Sequence, residues 1–341
     1  MFILENVPLS SYSTMRLGGT ASYLTEINNR SEVAEAVAWA EERGLPIIMI
    51  GGGSNIIWND DGFPGLVIVN KITGFETYAE DEENLYVTIG AGENWDQVVA
   101  RTVEMGYTGI EPLSLIPGTA GATPIQNVGA YGREIKDVLT TVEAYDCAEK
   151  KLVNIPVSDC AFAYRTSRFR TTDKGRFLIT AITIHLFKGS PQPPFYEALR
   201  KYFAEHQITT YGSQAVRDTV IAIRSSKLPD PAIVANNGSF FYNPIIREDQ
   251  LTPILTDHPT VVYWPLDDGR VKVSAAWLLD QAGFKDYHDA ETGMATWPAQ
   301  PLVLVNEKAT TTADLLKFKQ KIVDTVHTKF GVTLEQEPEL I

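Results

Sequence analysis

Four groups of residues in this chain have the types and spacing to do chemistry. The first is Arg165 in AFAYRTSRF, which follows Tyr164 and precedes two hydroxyl residues. A guanidinium beside an aromatic ring can hold a carboxylate through two parallel hydrogen bonds and stabilise charge that develops on it. Taken alone, the segment suits a surface arginine stacked on Tyr164 better. The second is Ser239 in NNGSFFYNP, a small hydroxyl between a glycine and two phenylalanines. Such a hydroxyl can be presented to a ligand in a water-poor pocket, although a turn serine is the commoner use of the pattern. No G-x-S-x-G elbow surrounds it, so nothing supports a hydrolase nucleophile. The third group is Glu335, Glu337 and Glu339, which share one side if the tail is extended, where burial of one would raise its pKa. A solvated acidic tail is the default for such a run. The fourth is Arg224 with Lys227, the latter twelve residues before Ser239. They supply cations at a loop suited to a diphosphate, with a plain surface role evenly matched.

Two glycine clusters accompany these groups. Residues 116–132, IPGTAGATPIQNVGAYG, carry no charged side chain, four glycines and two prolines. Upstream lies Gly51-Gly52-Gly53-Ser54-Asn55. Glycines remove Cβ atoms and permit positive φ, so backbone N–H groups can converge on an anionic or planar ligand. One cluster alone reads as a long loop with turn glycines; two shift the balance. Neither is a Rossmann turn, because Ile56 stands where a third Gly or Ala is required and a turn and strand follow instead of a helix. The GAGENW run fails the same pattern at Trp95.

Composition narrows the classes. The chain has 341 residues, enough for two or three domains, and a formal charge of −14, which argues against binding a phosphate backbone. Cys147 and Cys160 match neither a redox pair nor a zinc set, which suits a reducing cytoplasm. The N-terminus lacks a signal-peptide pattern and no apolar run reaches a membrane span, so neither export nor anchoring is expected. The five histidines, from His185 to His327, all lie beyond residue 184 and show no metal-ligand spacing. No catalytic metal is expected, and a histidine-linked covalent flavin in the first half is excluded.

The elements that must position these groups alternate. Ser31 opens a helical pattern closed by Gly44, and LPIIMI reads as a buried strand. LYVTIGAG reads as a strand, and Asn94 with Gln97 forms a capping box for WDQVVARTVEM, so a second α+β unit begins near residue 73. TTVEAYDCAEKKLVNI and RFLITAITIHLF have strand character. PQPPF is a linker before a short helix, YEALRKYFAEH, and VRDTVIAIRSSKLPDPAI is a helix ended by Pro229 and Pro231, with a domain boundary there. VSAAWLLDQAGF and TADLLKFKQKIVDTVHTKF follow among short strands. The tail is GVTLEQEPELI.

In order, LSSYSTMRLGG, IGGGSNIIW, GAGENW, IPGTAGATPIQNVGAYG, FAYRTSRF, IRSSKLPDP, NNGSFFYNP, AAWLLDQAGFK, PLVLVNE and FGVTLEQE resemble the UDP-N-acetylenolpyruvoylglucosamine reductase family over nearly the whole chain. The resemblance implies an α+β fold with a non-Rossmann FAD-binding module of the vanillyl-alcohol-oxidase type. Residues 1–72 and 73–227 would be its two subdomains, 228–331 a substrate-binding domain, and the tail 332–341 would return near the site. It implies non-covalent FAD and NADPH as hydride donor for reduction of the enolpyruvyl ether of a UDP-sugar to UDP-N-acetylmuramate in peptidoglycan precursor synthesis. The cofactor would be cradled by Gly51, Gly52, Gly53, Ser54 and Asn55, by Ile116, Gly118, Gly121, Ala122, Thr123, Gln126, Asn127, Gly129 and Tyr131, and by Arg224. Ser239 would be the proton donor, Arg165 and a C-terminal glutamate the stabilising groups, and Tyr196, Lys227 and Asn243 substrate contacts. The tail departs from the family's usual LEPEVRFI pattern, and Glu339 stands where a basic residue is usual. Ungapped alignment selects Glu337, while a shifted register selects Glu335 or Glu339. A cytoplasmic monomer is implied, with no nucleic-acid or membrane partner. Another flavin-dependent sugar or lactone oxidase, or a non-catalytic sugar-nucleotide-binding protein, are the alternatives.

Overall fold

A computed structural model describes residues 1–79 and 81–341 of the chain. The contacts divide it into two units, one of Met1–Val7, Ala21–Gly52 and Pro64–Arg224, the other of Pro8–Thr20, Gly53–Phe63 and Ser225–Ile341.

The first unit holds two sheets. One has four strands in the order Ile3–Pro8, Thr20–Ile27, Phe63–Asn70, Ile47–Ile50, the last two parallel. Helix α1, Arg30–Glu41, buries Val33, Ala36, Val37 and Ala40 in one cluster with Leu66 and Ile68 of that sheet, following the helical period. Its cap is Asn29, whose side chain accepts from Glu32 N, two residues before the Ser31 at which the sequence pattern opens. Gly44 closes the turn beyond it at φ +63°. The other sheet is built on the twelve-residue strand Phe177–Lys188, flanked antiparallel by Leu139–Asp146 and Asn84–Gly90. Lys151–Pro156 and Phe75–Ala79 lie outside these, and Tyr107–Thr108 pairs the end of the long strand. Helix α2, Trp95–Glu104, is capped by Asn94 as expected and buries Trp95, Val98, Val99 and Val103. Two more helices, α3 at Glu197–Glu205 and α4 at Ser213–Lys227, pack together through Leu199, Phe203, Val216, Val220 and Ile223.

In the second unit a four-stranded sheet runs Asn236–Ser239, Gln300–Asn306, Met294–Trp297, His288–Asp289, and a three-stranded one runs Ile245–Arg247, Arg270–Val273, Tyr263–Pro265. Helix α5, Glu248–Asp257, contains Pro253 and escapes the sequence reading, since an interior proline removes a donor and argues against a helix. After α6, Ala275–Gln281, the long α7, Thr312–Phe330, sets Leu315, Phe318, Ile322, Val326 and Phe330 along one stripe in the core. The first N–H groups of α7 are met by Asp60, which accepts from Thr312 N at 2.7 Å and Ala313 N at 2.9 Å. The acidic tail is not a loose solvated end. Glu339–Leu340 pairs parallel with Ile56–Ile57, and Glu337 N donates to Phe240 O at 2.8 Å.

Candidate active site

In the first unit the strand Ile47–Ile50 delivers Gly51 and Gly52 against the second glycine cluster. A Cβ on Gly51 would lie 2.2 Å from Thr119 Oγ1, and one on Gly52 would lie 3.1 Å from Gly118 Cα. Gly121 approaches Ala91 as closely, with its N–H donating to Ala91 O at 2.9 Å and a Cβ falling 2.4 Å from Ala91 Cβ. Gly52 and Gly118 therefore meet backbone to backbone, while Gly51 and Gly121 pack closely against the Thr119 side chain and Ala91, which only absent Cβ atoms allow. Thr119 Oγ1 is enclosed there without a protein partner, an acceptor and donor left for a ligand. The rest of the segment is tied down. Asn127, fully buried at φ +49°, donates from Nδ2 to Ala163 O at 3.2 Å and accepts from Lys136 N at 3.3 Å. Gln126 Oε1 accepts from Arg170 Nη1 at 2.7 Å, and Thr123 Oγ1 donates to Ala120 O at 2.7 Å. Ile116 and Ala122 belong to the same run, Ile116 ahead of the short 3-10 turn Ala120–Ala122 and Ala122 at its end.

Arg165 sits at a tight turn closed by Ala163 and Thr166, in a left-handed conformation at φ +53°. Its Nη2 donates to Gly129 O at 2.7 Å, and a Cβ on Gly129 would stand 3.1 Å from its Nη1. The guanidinium also lies 5.4 Å from the Tyr164 ring, so the aromatic stack and the anchored fork coexist. On α4, Arg224 donates to the Tyr131 phenol while its Nε is enclosed without a partner. Burial holds this arginine below its ordinary pKa, opposed by Tyr131 and Asp96, and burial likewise pushes the Tyr131 phenol up. The Tyr196 ring meets Tyr131 edge-on at 6.0 Å and is 46% exposed.

The second unit carries the other candidate residues. Ser239 follows a bulge in which Gly238 takes φ +70° and the pairing to Val303 and Val305 slips. Phe240 and Phe241 are fully buried, but Ser239 itself is exposed, so the water-poor setting expected from its neighbours is not what surrounds it here. The tail passes alongside, with Tyr242 N donating to Glu335 O at 2.9 Å and Gln336 bridging Phe241. Glu337 and Glu339 are half-buried and Glu335 is exposed. Lys227 ends α4, exposed, and Asn243 Oδ1 accepts from Ala275 N at 2.9 Å. Asn237, unremarked in the sequence, joins the bulge to the glycine turn: its Nδ2 donates to Ser54 O at 3.2 Å, Ile56 O at 3.3 Å and Thr14 Oγ1 at 3.1 Å. Gly53 adopts φ +67° and accepts from Thr14 N at 3.1 Å, while Asn55 O accepts from Glu339 N at 2.9 Å.

Asp96 and Arg217 were also missed. They form a bidentate ion pair at 2.7 and 3.0 Å. The position of Asp96, just after the capping Asn94, was the available signal; an arginine two turns before Arg224 was its counterpart. Among the described residues no cluster of histidine, cysteine and carboxylate groups is arranged to hold a metal ion, and no helix is long and apolar enough to cross a membrane.

Known proteins resemble this arrangement over its length. An FAD binding domain model matches residues 21–155, and a model of the UDP-N-acetylenolpyruvoylglucosamine reductase C-terminal domain matches residues 230–341. The UDP-N-acetylenolpyruvoylglucosamine reductase of Ralstonia nicotianae is 40% identical over 98% of this chain and 98% of its own. That of Amoebophilus asiaticus is 39% identical over 100% of both. This chain belongs to the UDP-N-acetylenolpyruvoylglucosamine reductase family. The crystal structure of the enzyme (MurB) from Thermus caldophilus shares the fold at a TM-score of 0.67 and 22% identity, covering 99% of each chain. The fold class is the expected one for UDP-N-acetylenolpyruvoylglucosamine reductases, an α+β chain with an FAD-binding module of the vanillyl-alcohol-oxidase type ahead of its own C-terminal domain. The residues present fit FAD: glycine backbones close enough to exclude any Cβ, an enclosed hydroxyl on Thr119 and an enclosed Nε on Arg224, both without a protein partner.

Proposed function

We propose that this protein is the NADPH-dependent reductase that converts UDP-N-acetylglucosamine enolpyruvate to UDP-N-acetylmuramate in peptidoglycan precursor synthesis. The observation that carries the reading is the full-length match to relatives of that name, with the FAD-binding and C-terminal domains in order. FAD, when bound, relays hydride from NADPH to the terminal carbon of the enolpyruvyl ether. Gly51 to Asn55, the 116–132 segment and Arg224 hold it without a covalent bond. The segment itself carries no charged side chain, and the cations against it, Arg165 on Gly129 O and Arg170 on Gln126, come from outside it.

Hydride addition leaves negative charge on the carbon next to the substrate carboxylate, and that charge spreads onto the carboxylate. Arg165 stabilises it; its anchoring to Gly129 O supports a fixed rather than mobile cation. Glu337 assists, a choice supported by its main-chain bond to Phe240, the residue after Ser239. Ser239 protonates the carbon, and a hydroxyl acts as an acid there because the carbanionic centre is strongly basic. Lys227, Asn243 and Tyr196 contact the UDP-sugar. Separate buried clusters around α1 and around the six-stranded sheet support subdomains 1–72 and 73–227, followed by a substrate domain 228–331 and the returning tail 332–341. The protein acts as a cytoplasmic monomer on small molecules, with no nucleic-acid or membrane partner. Anaerobic stopped-flow tests the reading: NADPH bleaches the flavin, and the enolpyruvyl UDP-sugar restores its colour. Purification without flavin, or reduced flavin that this substrate leaves bleached, overturns it.

A further inference from the structure

We infer that the Asp96–Arg217 pair is a positioning device for the cofactor diphosphate, keeping the Asp96 carboxylate occupied so that Arg224 remains available to the anion. The inference rests on the reading that Arg224 faces that diphosphate. Arg217 and Arg224 lie seven residues apart on α4, two turns and so one face. Both Nη atoms of Arg217 reach Asp96, at 2.7 and 3.0 Å, and Leu115 N donates to Asp96 Oδ1 at 2.6 Å. Leu115 is left-handed at φ +58° and immediately precedes the charge-free segment. At the other end of that segment Tyr131 accepts from Arg224. One helix therefore holds the segment near both ends through two arginines.

The charges decide the roles. Arg217 is buried, 9% exposed, and a buried cation needs a partner, which the half-buried Asp96 supplies. Burial works against ionisation of Asp96, yet the hydrogen bonds from Arg217 and Leu115 N hold its carboxyl below the ordinary value. Asp96 and Arg224 also feel one another's charge. Without Arg217, Arg224 is the cation drawn towards Asp96, and an incoming diphosphate meets an uncompensated carboxylate. With Arg217 in place, Arg224 keeps an enclosed Nε without a protein partner.

The test is FAD affinity of the apoprotein by flavin fluorescence, with ADP as a flavin-free diphosphate probe and apoprotein melting as a check on folding. Arg217→Met should weaken binding of both ligands at least about tenfold, and Asp96→Asn/Arg217→Met should recover to within about threefold of the parent, because no unpaired anion remains and asparagine still accepts from Leu115 N. An unweakened Arg217→Met, or a double variant as weak as Arg217→Met, overturns the inference. If Arg217→Met does not fold, Arg217→Lys replaces it: loss of the fork should cost roughly three- to tenfold in FAD affinity, and parental affinity overturns the inference. Arg224→Ala separates the underlying reading: unchanged FAD and ADP affinity in that variant refutes the diphosphate contact itself, whereas weakened affinity there beside a normal Arg217→Met refutes only the positioning role.

Discussion

The 116–132 segment and the C-terminal tail both look like loops by composition, yet they are fixed in opposite ways. The segment presents backbone. Its glycines press against Gly52 and Ala91, and its polar side chains, such as Asn127 and Gln126, turn to protein partners. The tail presents side chains. Its main chain is paired to Phe240, Tyr242, Ile56 and Ile57, while Glu335 is exposed and Glu337 and Glu339 are half-buried. A surface that cradles a cofactor through N–H groups needs side chains absent or turned away, so the fold anchors it by close approach. A surface that supplies charge or protons must present side chains, so the fold anchors it through the backbone.

The largest expected effect breaks the segment. Gly121→Ala places a Cβ where Ala91 Cβ would be 2.4 Å away and its Cα 3.0 Å away, both fixed to backbone. The segment must shift, and FAD affinity should fall about a hundredfold or more, giving protein that purifies colourless. Retained flavin at parental affinity would mean that the close approach does not shape the cradle.

Next comes the strand beside the tail. Ser239→Ala should leave flavin reduction by NADPH near normal while reoxidation by the enolpyruvyl substrate slows by about a hundredfold or more. Because Ser239 is exposed, melting should stay within about 0.5 kcal/mol of the parent. Equal loss in both half-reactions would make Ser239 a structural residue and remove the contrast with the cradle.

How much of this was legible in the sequence follows from the same contrast. The segment announced itself because four glycines without charge are rare in an acidic chain, and the strand–turn–strand after Ile50 was readable from the failed Rossmann spacing. Helices α1, α2 and α4 were marked by Gly44, by Asn94 with Gln97 and by Pro229, and α7 was readable as a helical run. The tail was not. Its pairing with Ile56–Ile57 joins residues far apart in sequence, and strand pairing of two residues carries no local signal. Asn237 was invisible for the same reason, since its three acceptors lie about 180 or more residues away along the chain. Close approach leaves a mark in composition, whereas long-range pairing does not.

The tail's own prediction is smaller and tests its register. Glu335→Gln, Glu337→Gln and Glu339→Gln should all keep flavin, because the backbone bonds that hold the tail survive each change. Reoxidation should drop roughly tenfold or more for Glu337→Gln and less than about threefold for the others. A dominant loss at Glu335 or Glu339 would move the catalytic carboxylate and show that backbone pairing alone does not choose it.

The smallest effect is expected in the scaffold outside both regions, which serves as their control. Asp146 is 2% exposed at the end of the Leu139–Asp146 strand and accepts from Arg176 at 2.7 Å. Its carboxyl is lowered from 3.8 to about 2, chiefly by that arginine, with burial opposing and the Ala148 and Glu149 N–H groups assisting. A lowered folded-state pKa stabilises the protein above the unfolded value and loses that contribution as pH falls through the folded one. The window is therefore from about pH 5 down to about pH 2. The full linkage value is about 2 kcal/mol, but the Arg176 side chain is 40% exposed, and solvent screening reduces it to about 1 kcal/mol. Asp146→Asn should accordingly lower urea stability by about 1 kcal/mol at pH 7 and by much less near pH 2, with FAD affinity unchanged. An equal loss at both pH values would trace the effect to the turn rather than to the charge, and a fall in FAD affinity would show that the cradle depends on the distant frame as well as on its own close contacts.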